Sequence, residues 1–318
     1  MILALEALCQ QSLESQFFEV LVVDNASTDQ TQKVCTDYQE QLSNLRYIYE
    51  PVQGLSKARN TALEQARGEY ISYLDDDAIP CQTWVEEIRN TFQTAKPTPV
   101  GVGGPIYPLW EMGQPEWMQE EMNFLFTILD YGDEPHWLKF PRFPFGANMS
   151  YQRQVLCQVG GFHENLGRKG GSLLSCEEYL LNKTLTRQGG RFYYNPQASV
   201  QHWIPQERSR SEWVIRRSYW QGRSEAVVDQ LVGKSWKRQR WDSLWKFWHP
   251  QRILNSALGA EKVHVLARAW LSRSWGYFFH VWFRHSLSVE ISNGFKYPNQ
   301  KSFRVAPDQQ PSESSSGA

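Results

Sequence analysis

The stretch "EYISYLDDDAIP", residues 69–80, decides the fold of this chain. Its apolar positions from Ile71 to Leu74 predict a buried strand, and three aspartates, Asp75, Asp76 and Asp77, follow that strand at once. Adjacent carboxylates repel one another and lose hydration at the end of a strand. The surrounding sequence therefore has to explain why so much negative charge is tolerated at this turn.

Strands and helices alternate on both sides of this turn. The continuous apolar run Val20–Val23 predicts a strand covered on both faces. The expected order is a strand at 20–23, a helix at 28–42, a strand at 45–51, a helix at 54–68, the strand at 69–74 and a helix at 83–94. This order predicts an α/β fold with a mostly parallel sheet and helices on both faces. Ligands bind beyond the carboxyl ends of such strands, which is where Asp24 and the three aspartates lie.

The rest of the chain predicts further elements and one irregular segment. We expect a helix at 3–16, a strand and turn at 100–108, an irregular connection at 110–145, a strand, helix and glycine turn at 146–162, a helix at 176–190, a strand hairpin at 191–203, and amphipathic helices at 207–232 and 256–285. The last residues, 307–318, lack core-forming side chains and are predicted to be disordered.

Composition limits the class of protein. The 318 residues are 41% hydrophobic and 21% charged, which is typical of a globular protein of one or two domains. The net charge of −1 gives no nucleic-acid signature, so no nucleic-acid partner is expected. Five scattered cysteines predict reduced thiols in a cytoplasmic protein. No signal peptide is expected, and no apolar run approaches the ~18 residues of a spanning helix.

Asp75 and Asp77 lie two positions apart after the strand. In an extended backbone their side chains would share one face. Two carboxylates on one face, with no lysine nearby in sequence, suit a hard divalent cation such as Mg²⁺ or Mn²⁺, which takes oxygen ligands and bridges phosphates. An acidic surface turn is the alternative for a bare Asp-x-Asp. The position at the end of a buried parallel strand favours the metal.

Five stretches together are similar to a known family. They are "VLVVDNASTDQT" (20–31), "GLSKARNTALEQARGEYISYLDDDAIP" (54–80), "GANMSYQRQVLCQVGGF" (146–162), "CEEYLLNKTLTRQGG" (176–190) and "VQHW" (200–203). In this order they resemble the family 2 glycosyltransferases of the GT-A fold over roughly residues 1–205. More loosely, "EEYLL" and "YWQGRSEA" (219–226) are similar to cyanobacterial enzymes of exopolysaccharide assembly, including the hormogonium polysaccharide group.

The resemblance implies a reaction and a donor site. It implies transfer of a sugar from a nucleotide-diphosphate-sugar to an acceptor hydroxyl, with inversion, in polysaccharide or glycolipid biosynthesis. Asp24 would hydrogen-bond the nucleotide base, and Arg59 would lie against the nucleotide or its phosphates. Asp75 would hold the ribose or a metal-bound water. Asp77 would bind the Mn²⁺ or Mg²⁺ that bridges the diphosphate and stabilises the leaving group.

The resemblance also implies a catalytic base. The family places a Glu-Asp pair where this chain has Glu177 and Glu178. Glu178 is expected to be the base and Glu177 to orient donor or acceptor, although both are also favourable acids in the first turn of a helix. His202 would complete the metal site, with a structural histidine as the alternative. Asn148 and Gly161 would line the donor or acceptor pocket, with ordinary turn and packing roles as the alternative.

One element of the family pattern is not found. The family begins with a strand that ends in a Thr-Tyr-Asn-like turn, and this front strand is expected to be missing here, which would expose a sheet edge and lower donor affinity. Two other functions stay open on the sequence. One is a nucleotidyltransferase, although no glycine-rich basic loop for a triphosphate is visible. The other is a non-catalytic nucleotide-sugar-binding relative.

The last third of the chain differs in composition. Ten of the 14 tryptophans follow residue 200, and Pro205–Arg304 contains 18 Lys and Arg against 7 Asp and Glu. We expect a catalytic domain at 1–205, a basic helical extension at 206–305 and a disordered tail at 306–318. The extension suits peripheral contact with an anionic membrane, on the inner face of the plasma membrane, or an acceptor or diphosphate site. A helical core packed on the catalytic domain is the alternative. The acceptor is expected to be a saccharide or lipid-linked.

Overall fold

A computed structural model describes residues 1–247 and 261–283 of the chain. Its strands are β1 (Val20–Asp24), β2 (Leu45–Tyr49), β3 (Tyr70–Tyr73), β4 (Ala78–Pro80), β5 (Gly101–Gly103), β6 (Ile106–Trp110), β7 (His136–Trp137), β8 (Met149–Gln152), β9 (Phe192–Tyr194) and β10 (Val200–Ile204). Its α-helices are α1 (Ile2–Cys9), α2 (Thr31–Tyr38), α3 (Leu55–Gln65), α4 (Trp84–Thr94), α5 (Arg153–Val159), α6 (Glu177–Arg187), α7 (Ser211–Leu231), α8 (Trp236–Phe247) and α9 (Glu261–Trp282). The predicted tail lies outside the described residues.

The strands form three sheets, two of which contain both parallel and antiparallel pairs. β1 and β2 pair in parallel, the second sheet has the order β4-β10-β6, and the third has the order β3-β8-β5-β9-β7. The predicted α/β class is confirmed. The prediction of a mostly parallel sheet differs from the observed pairing, because β8 runs antiparallel to both β3 and β5, and β10 runs antiparallel to β4. Side-chain periodicity predicts that a segment is a strand and says nothing about its direction.

The segment 191–203 corrects a second expectation. We predicted a hairpin there, but its two strands belong to different sheets. β9 pairs with β5 and β7, whereas β10 pairs with β4 and β6. This separation places β10 directly beside the chain that leaves the aspartate turn, and the Trp203 N–H donates to the Asp77 carbonyl at 2.8 Å.

Helices cover both faces of the five-stranded sheet. On one face Tyr151 of β8 packs with Leu63 of α3 and Leu181 of α6. On the other face Val102 of β5 packs with Ile88 and Phe92 of α4. All of these side chains are buried, and each fully buried residue of this size stabilises the fold by roughly 1.5–3 kcal/mol. The two buried faces hold the strand ends, and therefore the site, in a fixed position.

The C-terminal helices share a core with the preceding chain. Val214 of α7 and Val265 of α9 pack with Ile204 and Phe126. α7 and α9 also approach closely, because a β-carbon added to Gly222 would overlap the Arg273 carbonyl. This packing agrees with the alternative of a helical core placed against the rest of the fold. Among the described residues, no helix is long and apolar enough to cross a bilayer.

Candidate active site

Asp24 ends strand β1 and is buried in the turn that follows. Its carboxylate accepts from Tyr47 Oη at 2.6 Å and from the Ser27 N–H at 2.8 Å. Burial, the largest single influence, raises the pKa of Asp24, but the hydrogen bonds from Tyr47 and Ser27 outweigh it and the net pKa is lowered. Asp24 is therefore held ionised at the end of a strand, where it can accept hydrogen bonds from a ligand.

The turn after Asp24 connects to the next parts of the site. Asn25 Oδ1 accepts from the Gly54 N–H at 2.6 Å, at the start of α3. The Leu55 N–H of the same helix donates to the Arg168 carbonyl at 2.9 Å. The end of β1 is thus joined to the start of α3 through the Asn25 side chain, and the start of α3 is joined to the loop that contains Arg168 through backbone groups.

Arg59 of α3 joins two carboxylates. Its Nη1 lies 2.8 Å from Glu177 Oε1 and its Nη2 lies 3.3 Å from Asp75 Oδ1. Burial disfavours the guanidinium charge, and the Glu177 and Asp75 carboxylates overcome this and raise the pKa of Arg59. The sequence predicted that Arg59 lies against a nucleotide. That contact stays a prediction; within the protein the guanidinium contacts two carboxylates, so that Arg59 fixes the start of α6 against the end of β3.

Asp75 and Asp77 have different partners although they are two positions apart. Asp75 faces Arg59, whereas Asp77 Oδ1 lies 3.3 Å from His202 Nε2 and Asp77 Oδ2 lies 3.4 Å from Arg208 Nη2. Burial alone raises the pKa of Asp77, but His202 and Arg208 reverse the effect and lower it. The sequence predicted that Asp75 and Asp77 act together on one face, but in the structure they have separate partners, with His202 and Arg208 at Asp77 and Arg59 at Asp75.

Asp77 and His202 are the residues that could hold a metal ion. The described part of the chain brings together no group of three or more His, Cys, Asp and Glu that could do so. If a metal binds here, this pair would be the protein's contribution to its ligands. A carboxylate oxygen and an imidazole nitrogen 3.3 Å apart are close enough to share one divalent ion, and this donor set suits Mn²⁺. The residues present thus fit a divalent cation.

Glu177 and Glu178 occupy the first turn of α6. The Oε2 atoms of both carboxylates are buried and have no hydrogen-bond partner among the described residues. Burial first, and then the negative charge of Glu177, raise the pKa of Glu178 to about 8, while Arg59 opposes the shift. A carboxylate with this environment can accept a proton near neutral pH.

Asn148 and Gly161 were expected to line a pocket. Asn148 is fully buried, and its amide accepts from Trp84 Nε1 at 2.9 Å and donates to the Ala198 carbonyl at 2.7 Å. The structure therefore uses Asn148 within the core. Gly161 has a φ of +73°, and a β-carbon there would crowd Asn60 Oδ1, which accepts from the Phe162 N–H. Both residues match the packing and turn alternatives.

Three arginines at the site were not predicted. Arg208 lies beside Asp77, and Arg168 acts on Asp77 through its charge. Arg217 of α7 is buried, donates to Ser175 Oγ at 3.2 Å, and is attracted by Glu178 and Glu177. The basic segment after Pro205 was the sequence signal for two of them. The composition of that segment favours a membrane or packing surface and does not point to individual arginines of the site.

Comparison with known proteins identifies the fold and the family. Residues 3–157 match the family described as glycosyl transferase family 2. The glucosyl-dolichyl phosphate glucuronosyltransferase of Haloferax volcanii is 30% identical over 214 residues, which are 67% of this chain and 68% of that protein. The chain belongs to the family 2 glycosyltransferases.

A further relative and one solved structure are also similar to this chain. The succinoglycan biosynthesis protein ExoM of Rhizobium meliloti is 24% identical over 228 residues, 70% of this chain and 68% of that protein. The mannosyltransferase PcManGT from Pyrobaculum calidifontis, solved with GDP-Man and Mn²⁺, has a TM-score of 0.56 at 18% identity and covers 88% of this chain and 83% of its own. That likeness shows the fold alone and confirms the predicted GT-A architecture. The chain is thus an enzyme of the glycosyltransferase class, and the nucleotidyltransferase alternative is set aside.

Proposed function

We propose that this glycosyltransferase transfers a sugar from a nucleoside diphosphate sugar to an acceptor hydroxyl, with inversion and with help from a divalent cation. The two ion pairs of Arg59 are the main support for this proposal. Arg59 joins Asp75, at the end of the aspartate strand, to Glu177, which is adjacent to Glu178. Asp75, on the proposed donor side, and Glu178, the proposed proton acceptor, therefore belong to one connected cluster. A single-displacement transfer requires the donor and the base to be held close together in this way.

Glu178 is the proposed base. The acceptor oxygen forms its new bond to the anomeric carbon of the donor, its proton passes to the Glu178 carboxylate, and the bond from that carbon to the diphosphate breaks. The leaving group takes the bonding electron pair as a nucleoside diphosphate. Glu177, fixed by Arg59, keeps the Glu178 side chain in position and raises its proton affinity through repulsion.

The proposed diphosphate side of the site contains Asp77, His202 and Arg208. When bound at Asp77 and His202, a divalent ion would neutralise negative charge that develops on the departing phosphates. Arg208 and Arg168 add positive charge next to Asp77. Asp24 accepts hydrogen bonds from the nucleotide. In this proposal, cations compensate the negative charge of the aspartates at the strand end.

The names of the relatives support a role in polysaccharide or glycolipid assembly. One of them acts on glucosyl-dolichyl phosphate, and another belongs to succinoglycan biosynthesis. We place the donor site in a domain at 1–205 and the helices that follow in an extension at 206–305. The acceptor is a saccharide or is lipid-linked.

The extension presents aromatic side chains to solvent, which supports peripheral contact with a membrane. Trp241 and Trp245 of α8 are 74% and 60% exposed, and Lys237 and Arg238 precede them on the same helix. Exposed tryptophans with basic neighbours suit the surface of an anionic bilayer. We place the enzyme in the cytoplasm, on the inner face of the plasma membrane.

Nucleotide binding and donor hydrolysis test the proposed function. The full chain is titrated with UDP, GDP, CDP and TDP, in Mn²⁺ and in EDTA, by isothermal calorimetry. At least one nucleotide should bind in Mn²⁺ and weaken in EDTA, and the matching nucleotide sugars should be slowly hydrolysed. If no nucleotide binds in either condition, the donor assignment is wrong. If a nucleotide binds and none of its sugars is turned over, the chain is a non-catalytic binding relative.

A further inference from the structure

A cleft of about 550 Å³ opens beside strand β6, outside the ion-pair cluster described above. Its main lining residues are Trp110, Met118, Gln119, Glu120, Glu121 and Asn123. They come from the end of β6 and from the segment that follows it, which contains a short 3₁₀ helix, Glu120–Phe126. The sequence predicted only an irregular connection here. The volume is within the ~300–1,000 Å³ that is typical of small-molecule sites.

The cleft lies next to the strand that contains His202. β6 and β10 pair in parallel, with Pro108 opposite His202 and Trp110 opposite Ile204. Neighbouring strands are about 4.8 Å apart. The Gln206 N–H, just after β10, donates to Glu111 Oε2 at 2.8 Å. A ligand in the cleft would therefore lie one strand away from the proposed diphosphate site.

The wall of the cleft is fixed by the core. Trp110 packs edge-on against Phe126 with ring centroids 5.2 Å apart, and Phe126 packs in turn against Trp213 of α7. The Trp110 Nε1 atom is buried and has no hydrogen-bond partner among the described residues. A buried donor without a partner is costly and is usually satisfied by a ligand or by water.

The chemistry of the lining matches a sugar. Gln119 and Asn123 can donate and accept hydrogen bonds, and Glu120 and Glu121 accept them. Trp110 and Met118 add an apolar surface for the C–H face of a sugar ring. None of the lining residues carries a positive charge. The carboxylates would repel phosphate or uronate groups.

We propose that this cleft binds an uncharged sugar unit of the acceptor. The inference rests on the proposed function and adds the acceptor class to it. An uncharged pyranose uses hydroxyl groups against the amides and carboxylates, and places its apolar face on the indole. A lipid phosphate would be held elsewhere on the molecule, because no cation lines this cleft.

Saturation-transfer NMR with the full chain tests the cleft. The probes are the methyl glycosides of glucose, galactose, mannose and N-acetylglucosamine, with methyl glucuronide as the anionic match of the glucoside. At least one neutral glycoside should bind at concentrations up to about 10 mM, a range typical of weak ligands. Trp110→Ala should weaken that binding by about tenfold or more, because it removes the apolar surface of the indole.

Controls separate binding from folding. Gln119→Ala combined with Glu121→Ala changes side chains at the rim and should also weaken binding, whereas Glu116→Gln, exposed on the same segment and outside the lining, should not. The inference is wrong if no neutral glycoside binds, if both lining variants bind as the wild type does, or if the glucuronide binds as tightly as the glucoside. The same samples are also titrated with nucleotide. If nucleotide binds but no neutral glycoside does, the acceptor cleft is wrong and the proposed function stands. If nucleotide does not bind either, the proposed function itself is wrong.

Discussion

Arg59 Nη1 and Glu177 Oε1 form an ion pair of 2.8 Å between residues that are 118 positions apart in the chain. Both side chains are at least nine-tenths buried. A buried pair adds little when compared with an apolar pair, but removal of one partner leaves the other charge buried and uncompensated. The pair therefore fixes α6 against α3 and sets the environment of Glu178.

Arg59→Ala should lower the free energy of unfolding by about 3–5 kcal/mol, because Glu177 would be left as a buried charge. Urea unfolding followed by circular dichroism measures the change. Arg46→Ala is the matched control. Arg46 pairs with Glu19 at 2.8 Å but both side chains are partly exposed, so its loss should cost about 1 kcal/mol or less. Equal losses in the two variants would contradict the structural role of the Arg59 pair.

Glu178→Gln should abolish turnover while nucleotide binding is kept. In the wild type, the raised pKa of about 8 means that the ionised base is gained as the pH rises toward 8, so kcat/KM should increase between pH 6 and 8. Donor hydrolysis and transfer across this range provide the measurement. A flat pH profile in the wild type, or normal turnover in the Gln variant, would remove Glu178 as the base.

The same group links stability to pH. The folded chain keeps the Glu178 proton up to a pKa of about 8, whereas the unfolded chain releases it near the ordinary value of 4.5. The unfolded state therefore binds fewer protons between these values, and the contribution of Glu178 to stability falls as the pH rises from 4.5 to 8. The urea midpoint of the wild type, relative to that of Glu178→Gln, should therefore fall as the pH rises from 4.5 to 8 and should be constant below pH 4.5.

Asp77→Asn should remove the Mn²⁺ dependence of nucleotide binding and lower transfer by at least about 100-fold, since one of the two proposed metal ligands loses its charge. Calorimetric titration with the nucleotide that binds the wild type, in Mn²⁺ and in EDTA, gives the result. Asp37→Asn, on the exposed side of α2, is the control and should behave as the wild type. Unchanged Mn²⁺ dependence in Asp77→Asn would exclude the Asp77–His202 pair as the metal site.

Gly222→Ala should destabilise the packing of α7 on α9, because the added β-carbon would overlap the Arg273 backbone carbonyl. A cost of about 1–3 kcal/mol is expected for such overpacking, measured by thermal or urea unfolding. Gly171→Ala is the control, since no atom lies within 4 Å of its added β-carbon. If the Gly222 variant is as stable as the Gly171 variant, the close approach of the two helices is not required.

Trp241→Ser should reduce flotation of the full chain with vesicles that contain phosphatidylserine by several-fold, because an interfacial aromatic is lost. Phe140→Ser is the matched control. Phe140 is also an exposed aromatic, at 57% exposure, but it lies outside the extension and should leave flotation unchanged. If the wild-type chain does not bind anionic vesicles, the membrane proposal is wrong.

The sequence predicted which segments form strands better than it predicted how the strands pair. The apolar runs of β1, β2 and β3 predicted these strands correctly. The insertion of β8 between β3 and β5 could not be predicted, because it depends on how the irregular connection before Met149 returns to the sheet. Likewise, Phe192–Tyr194 and Val200–Ile204 were predicted as strands, but their assignment to separate sheets is a long-range property.

The site was predicted in its residue types and less well in its contacts. Local patterns identified the aspartates at the end of a strand, whereas the glutamate pair and His202 were singled out through the family resemblance. The division of Asp75 and Asp77 between Arg59 and His202 depends on residues 16 and about 125 positions away, which local patterns cannot bring together. Arg168, Arg208 and Arg217 were missed for the same reason.

The environment of Glu178 has a consequence for inhibitor selection. A cationic ligand gains affinity when an ionised carboxylate lies close to its charge. Burial and the charge of Glu177 keep Glu178 neutral up to a pKa of about 8, so a ring compound with a permanent positive charge would find less attraction in a screen run at pH 7 than at pH 9. A neutral carbocyclic mimic of the same shape would be free of this penalty and would rank higher in the neutral screen.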